Sequence, residues 1–157
     1  MLETEEPLLS IIVVNFGSEE GLPRLISSLE KSTLKNFELI IGYVATTEGL
    51  NNIDENNPYN LDKLSSISAK LKIIKLKKNY GAPGNRNILA SYAHGKYLFF
   101  LDNDTEILED TLAKVIDFVN KNPNLIVQLK LVYPNNLIDS CGGFIDELGY
   151  PIESGRN

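Results

Sequence analysis

Asp102 and Asp104 stand one residue apart in the run "YLFFLDNDTEIL", Tyr97 to Leu108. Large apolar residues lead straight into them, so the pair sits at the tip of a strand that reads as buried on both faces. Carboxylates held so close repel each other and favour a cation. Hard oxygen donors at this spacing suit Mg²⁺ or Mn²⁺, ions that keep several waters and share their remaining positions with substrate phosphates. A diphosphate is the natural third partner. The plain alternative is that the two side chains cap the next helix or lie solvated in a loop.

Two other acidic templates fail. An EF-hand loop counted from Asp102 needs Gly at its sixth position, where Ile107 stands. A phosphatase of the haloacid dehalogenase type needs D-x-D-x-T, and Glu106 occupies the place of its Thr. Gly81 and Gly84 allow close backbone approach, and a helix beginning near Asn85 offers free N–H groups to an anion. The loop is not a Walker loop, because it lacks G-K-[ST]. His94, the only histidine, reads as exposed and structural.

The elements that must position these residues follow from periodicity. "LLSIIVV" (Leu8 to Val14) is a buried strand, and Leu22, Leu25, Ile26 and Leu29 recur at the spacing of one helix face. "FELIIGY" (Phe37 to Tyr43) is a second strand; Leu61, Leu64 and Ile67 make a short helix before a third, Leu71 to Leu76. A helix over "NRNILASYAHG" ends at Gly95, and the strand "KYLFFLD" follows it. Asp110 caps a helix bearing Leu112, Val115, Ile116 and Val119; "LIVQLKLVY" is a fifth strand, and the Gly-rich tail after it has little pattern. Continuous apolar strands separated by helices imply an α/β fold, a Rossmann-like, mostly parallel twisted sheet with helices on both faces. Ligands of such sheets sit beyond the carboxyl ends of the strands. Asn15, Tyr43 and Asp102 each close a strand and reach that rim together.

Bulk properties agree. The 157 residues, 43% apolar and 23% charged, are the size and composition of one globular domain. With 21 acidic against 15 basic residues the net charge is -6, which repels nucleic acid; "KLKKN" at Lys75 to Asn79 is a solvated strand end. No apolar run approaches the roughly 20 residues of a membrane helix, and "MLETEEP" lacks the basic start of a secretory leader. The single cysteine, Cys141, fits a reducing compartment. The expectation is a cytoplasmic chain, with any membrane association supplied by segments outside it.

The ordered pieces "LSIIVVNFGSEEGLPRLISSLEKST", "NFELII", "NYGAPGNRN", "GKYLFFLDNDTEIL" and "LVYPNNLIDSCGGFIDELGYP" resemble the family 2-like glycosyltransferases of the GT-A fold, in particular the rhamnosyltransferase-like members. The likeness runs from about Leu8 to Arg156. It implies metal-dependent transfer of a sugar, with inversion, from a nucleotide-diphospho-sugar to a hydroxyl of a saccharide or lipid-linked acceptor. Under the resemblance, Asp104 ligates Mn²⁺ or Mg²⁺ and Asp102 lies near the ribose and the metal's waters. Asn15 and Phe16 line the nucleotide pocket, and Arg86 sits beside the nucleotide.

Two positions depart from the family pattern. Tyr43 stands where an Asp usually reads the base, and a phenol offers one uncharged hydrogen bond in its place. The general base, an Asp or Glu in an "ED" context, is not found; Asp139, Asp146 and Glu147 lie in no such motif. The expectation is therefore that residues 1–157 form a single nucleotide-sugar-binding part, with the base beyond Asn157 and this stretch alone inactive. The alternative is a non-catalytic nucleotide- or partner-binding module derived from the same fold.

Overall fold

The computed structural model describes residues 6–15, 21–44 and 70–155, which divide into two compact units, one through Ile116 and one from Asp117. Phe16 and the helix expected at Leu61, Leu64 and Ile67 lie outside the described residues.

The first unit is built on four parallel strands, β1 (Leu9–Asn15), β2 (Phe37–Val44), β3 (Lys70–Leu76) and β4 (Tyr97–Asp102), in the order β3-β2-β1-β4. Helix α1 (Gly21–Glu30) links β1 to β2, α2 (Gly81–Ala90) links β3 to β4, and α3 (Thr111–Lys121) follows β4. The path steps outward from β1 to β2 and crosses back from β3 to β4. Right-handed crossovers therefore put α1 and α2 on opposite faces of the sheet. Rossmann-like architecture with helices on both faces is thus observed.

Strand alternation divides the core between those faces. Ile12, Ile40 and Leu76 pack with Leu89 of α2 in one buried cluster. Gly42 leaves room for this helix, since a Cβ there would lie 2.5 Å from the Leu89 side chain. Leu9, Ile11, Val13, Leu39 and Ile41 fill the other face, and Leu22, Leu25, Ile26 and Leu29 of α1 are equally buried. The helical spacing read from the sequence thus marks the inner face of α1.

β4 departs from expectation. It pairs only with β1 among the described residues, and its burial alternates, with Leu98 and Phe100 exposed. Both lie on the α2 side, by their register with Ser10 and Ile12, and α2 packs over β1 and β2. An edge strand under a helix displaced from it is covered on one face only.

Opposite the carboxyl rim, a buried ionic cluster joins three strands. Glu38 is 1% exposed and accepts hydrogen bonds from Ser10 Oγ at 2.7 Å, the His94 backbone N–H at 2.5 Å and Lys72 Nζ at 3.0 Å. Burial alone would raise its pKa. The bonds from Ser10, His94 and Lys72, with the charge of Lys72, outweigh it and hold the carboxyl at about 2. Ser10 Oγ in turn accepts from Gly95 N–H at 2.8 Å, so the turn between α2 and β4 is fastened to the sheet. α2 ends at Ala90, short of the expected stop at Gly95. The glycine serves close approach instead: a Cβ there would lie 2.5 Å from the Ser10 nitrogen and 2.6 Å from the Leu9 carbonyl carbon. Neither backbone atom can swing aside, and Gly95→Ala is expected to lose about 1–3 kcal/mol. Urea denaturation checks this, and an unchanged midpoint contradicts the packing.

The second unit holds two antiparallel pairs, β5 (Leu131–Val132) with β6 (Ile138–Ser140), and β7 (Gly143–Ile145) with β8 (Pro151–Glu153). The long fifth strand expected over Leu125 to Tyr133 is reduced to two paired residues. A local turn decides this: Asn136 takes a left-handed φ of 65°, and Tyr133 N–H bonds to Leu137 O at 2.9 Å, closing a hairpin. The tail is a second hairpin. Asp146 Oδ1 accepts from Leu148 and Tyr150 N–H, and Gly149 supplies φ 86°. "DELG" was the available turn signal.

Candidate functional site

The carboxyl ends of the strands bring Asn15, Tyr43 and Asp102 to one rim, through the registers Asn15 with Tyr43 and Val14 with Asp102. Strand parity then separates them. Asn15 and Tyr43 share the face on which Asn103 also lies, because Asn103 Nδ2 donates to Asn15 Oδ1. Both are buried, Asn15 to 2% exposure and Tyr43 to 5%. Asp102 leaves the sheet on the opposite face, the α2 side.

Arg86 meets Asp102 there. Its Nη2 lies 2.5 Å from Asp102 Oδ1. The start of α2 is folded so as to hold this arginine. Asn79 Oδ1 accepts from Gly81 N–H at 2.8 Å and Asn85 Nδ2 at 3.1 Å, while Asn85 Oδ1 accepts from Tyr80 N–H at 3.1 Å. Buried Asn85 is the hub of this loop, Gly81 supplies φ 74°, and a Cβ on Gly84 would lie 2.8 Å from Tyr80 Cβ. The asparagine bonds allow the helix to begin at Gly81, four residues before the expected start at Asn85.

The acidic tip is a turn closed on itself. Thr105 gives both its N–H, at 3.3 Å, and its Oγ1, at 2.7 Å, to the Asp102 carbonyl. Asp104 projects outward with its side chain exposed and, among the described residues, without a hydrogen-bond or ion-pair partner. No group of three or more His, Cys, Asp or Glu able to hold a metal occurs among the described residues. One unengaged carboxylate beside a second whose other oxygen is open suits Mg²⁺ or Mn²⁺ completed by water and phosphate; it does not suit an ion caged by protein alone. The residues present therefore fit the ion that the sequence implies. A neighbouring arginine adds positive charge on the same side, which an incoming diphosphate needs.

Two contributors were not singled out in the sequence. Asn103 sits between the two aspartates, and alternation alone sends its side chain to the other face, so the residue in the middle of D-x-D was open to reading as an anchor. Gly21, whose Cα lies against the backbone of Asn103 and Asp104, carried no local signal, since its neighbours lie far along the chain. Asp139 bonds Tyr133 Oη within the β5-β6 pair and Asp146 is the turn acceptor described above. Both are therefore engaged locally.

Comparison with known proteins adds the lineage. The protein-family model described as "Glycosyl transferase family 2" matches residues 10–140. An uncharacterized glycosyltransferase from Haemophilus influenzae is 30% identical over 118 residues, covering 75% of this chain and 36% of that protein. Among solved structures, the mannosyltransferase PcManGT from Pyrobaculum calidifontis, in complex with GDP-Man and Mn²⁺, aligns with a TM-score of 0.67 at 16% identity. That alignment covers 85% of this chain and 38% of the other. Staphylococcus aureus TarS 1–349 in complex with UDP-GlcNAc aligns with a TM-score of 0.58 at 22% identity, over 82% of this chain and 41% of the other. At these identities the two structures speak for the fold. The chain spans less than half the length of these relatives. No helix among the described residues is long and apolar enough to cross a membrane.

Proposed function

The chain belongs to glycosyl transferase family 2, and from that membership we propose that it forms the donor and metal side of an enzyme moving a sugar from a nucleotide-diphospho-sugar to an acceptor hydroxyl. The observation that carries the reading is the pairing of Arg86 with Asp102 beside Asp104, which no described residue engages, at the carboxyl rim of a parallel sheet. In this reading Asp104 holds the divalent ion directly, and Asp102 orients its waters and the ribose. Arg86, anchored through Asn85, directs Asp102 while offering its remaining N–H groups to the phosphates. Asn15 backs the rim from the other face. When bound, the ion supplies Lewis-acid stabilisation of the departing diphosphate. Inversion at the anomeric carbon follows the family, with an acceptor that is a saccharide or a lipid-linked one.

The relatives support the donor class: one solved structure contains UDP-GlcNAc and another GDP-Man with Mn²⁺. Calorimetric titration of UDP and GDP into the chain, with Mn²⁺ and again with EDTA, tests the proposal. Binding of at least one nucleotide that strengthens with Mn²⁺ is expected. Equal heats in both buffers, or none for either nucleotide, would overturn it.

One observation favours the second reading, a nucleotide- or partner-binding module without catalysis. Tyr43, buried, stands in the place of the base-reading carboxylate. If donor recognition was weakened there, restoring the acid should strengthen it: a hydrogen bond to a charged group contributes roughly 1.5–3 kcal/mol, so Tyr43→Asp is expected to bind UDP about tenfold more tightly. The same change empties a buried site and costs stability, so binding is measured well below the melting temperature. UDP affinity equal to or weaker than wild type in a folded Tyr43→Asp contradicts this use of the position.

A further inference from the structure

Asp104 has an exposed side chain that no described residue holds, so the backbone of its turn is what sets the direction of its carboxylate among the described residues. That backbone is fixed chiefly by α1. At the start of α1, the position a Cβ of Gly21 would take is 2.7 Å from Asn103 O and 3.0 Å from Asp104 Cα. About two helical turns along, Ser28 Oγ, itself bonded to Leu25 O at 2.6 Å, accepts from Ile107 N–H at 3.1 Å. Past the helix end, Thr33 gives its N–H and Oγ1 to Glu109 O at 2.8 Å and 3.2 Å. The segment from Asn103 to Glu109 thus runs along α1 and is tied to it at three levels, while Asn103 Nδ2 ties the same turn to Asn15 at the end of β1.

We infer that Gly21 and Asn103 are positioning residues for the metal-facing carboxylate, Gly21 by letting α1 seat directly against the backbone of the acidic turn and Asn103 by locking that turn to β1. The inference rests on the proposed donor and metal site. Gly21 is required for room: the atoms its methyl would strike are backbone atoms of Asn103 and of Asp104, which carries the metal-facing carboxylate. Real Cβ atoms essentially never come within 3.0 Å of such neighbours. Relief therefore moves the turn by several tenths of an ångström, or moves α1 away from it. A metal site tolerates distance errors of only about 0.2 Å, and changes to groups that orient ligands typically cost 10–100-fold in metal affinity. As at Gly95, the methyl is also expected to lower stability, so the affinity in EDTA and the Asn103→Ala variant separate the effect on the site from an effect on the fold.

The test uses the 157-residue chain and its Gly21→Ala and Asn103→Ala variants. Each is titrated with UDP and with GDP, in Mn²⁺ and in EDTA, and Mn²⁺ alone is followed by electron paramagnetic resonance. Both variants are expected to lose tenfold or more of the Mn²⁺-dependent affinity while keeping the wild-type affinity in EDTA and a cooperative melting transition. Wild-type behaviour in both variants overturns the positioning role and leaves the proposed function standing. Loss of affinity to the same extent in Mn²⁺ and EDTA also overturns it, because the residues would then be supporting the fold generally. If wild type itself shows no Mn²⁺ dependence, the reading of the site fails, and this inference with it. If Gly21→Ala does not fold, Asn103→Ala alone decides between these outcomes.

Discussion

Asp104→Ala is expected to remove Mn²⁺-dependent nucleotide binding, lowering affinity about a hundredfold or more, while the melting temperature stays within a degree or two of wild type. Both halves follow from geometry. The carboxylate is exposed and no described residue engages it, and surface substitutions away from structural features usually fall within about 0.5 kcal/mol. Yet Asp104 is the carboxylate best placed to ligate an ion directly, since Asp102 already shares an oxygen with Arg86 at 2.5 Å. A hundredfold loss is about 2.7 kcal/mol, which is modest for a direct ligand. Asp102→Ala should cost less in metal affinity and should also release Arg86. Titration of UDP or GDP with Mn²⁺, beside a thermal melt, measures both effects. Unchanged Mn²⁺ dependence in Asp104→Ala contradicts the assignment.

The largest loss of stability is expected at the other end of the sheet. Glu38→Ala removes the carboxylate that accepts from Ser10, Lys72 and His94 and leaves the buried Ser10 hydroxyl and the part-buried His94 N–H without an acceptor, while Lys72 keeps Tyr92 O. Each group left unsatisfied costs about 1–3 kcal/mol, against a typical domain stability of roughly 5–15 kcal/mol. The same group predicts an acid limb. Its carboxyl is held at about 2, below its ordinary value of 4.5. Stability gained from that depression is fully present above pH 4.5 and is lost as the pH falls toward 2, by roughly 3 kcal/mol. Urea titrations at a series of pH values should show this limb in wild type and much less of it in Glu38→Gln. An identical limb in both assigns acid sensitivity elsewhere.

Much of this arrangement was legible in the order of residues. Leu22, Leu25, Ile26 and Leu29 gave the buried face of α1, and the strand runs of β1 and β2 gave the central pair of the sheet. The aspartates were read correctly as the end of a strand at the carboxyl rim. What failed was whatever depended on lateral neighbours. "YLFFL" looks like a strand covered twice, but coverage is a property of the sheet, and an edge position leaves Leu98 and Phe100 exposed. Glu38 in "FELII" is a lone acid in an apolar strand, with no partner nearby in sequence. Its partners lie 28, 34 and 56 positions away, beyond any local pattern. For the site, residue types pointed to an ion and phosphates, while the division of Tyr43 from Asp102 between faces needed the register. In the second unit "PNN" reads as a turn and is one, closing the β5-β6 pair, while the β7-β8 hairpin at "DELG" lies in a tail that shows little pattern.

The central claim is that the acidic turn holds a divalent ion against a nucleotide diphosphate. Its most direct test is an anomalous difference map from crystals of the chain grown with Mn²⁺ and the nucleotide it binds more tightly. The account predicts one strong peak within about 2.3 Å of an Asp104 carboxylate oxygen and in contact with oxygens of the diphosphate, as expected for ions of this class. A nucleotide bound with no peak at Asp104, or a Mn²⁺ peak held by other residues, would contradict it.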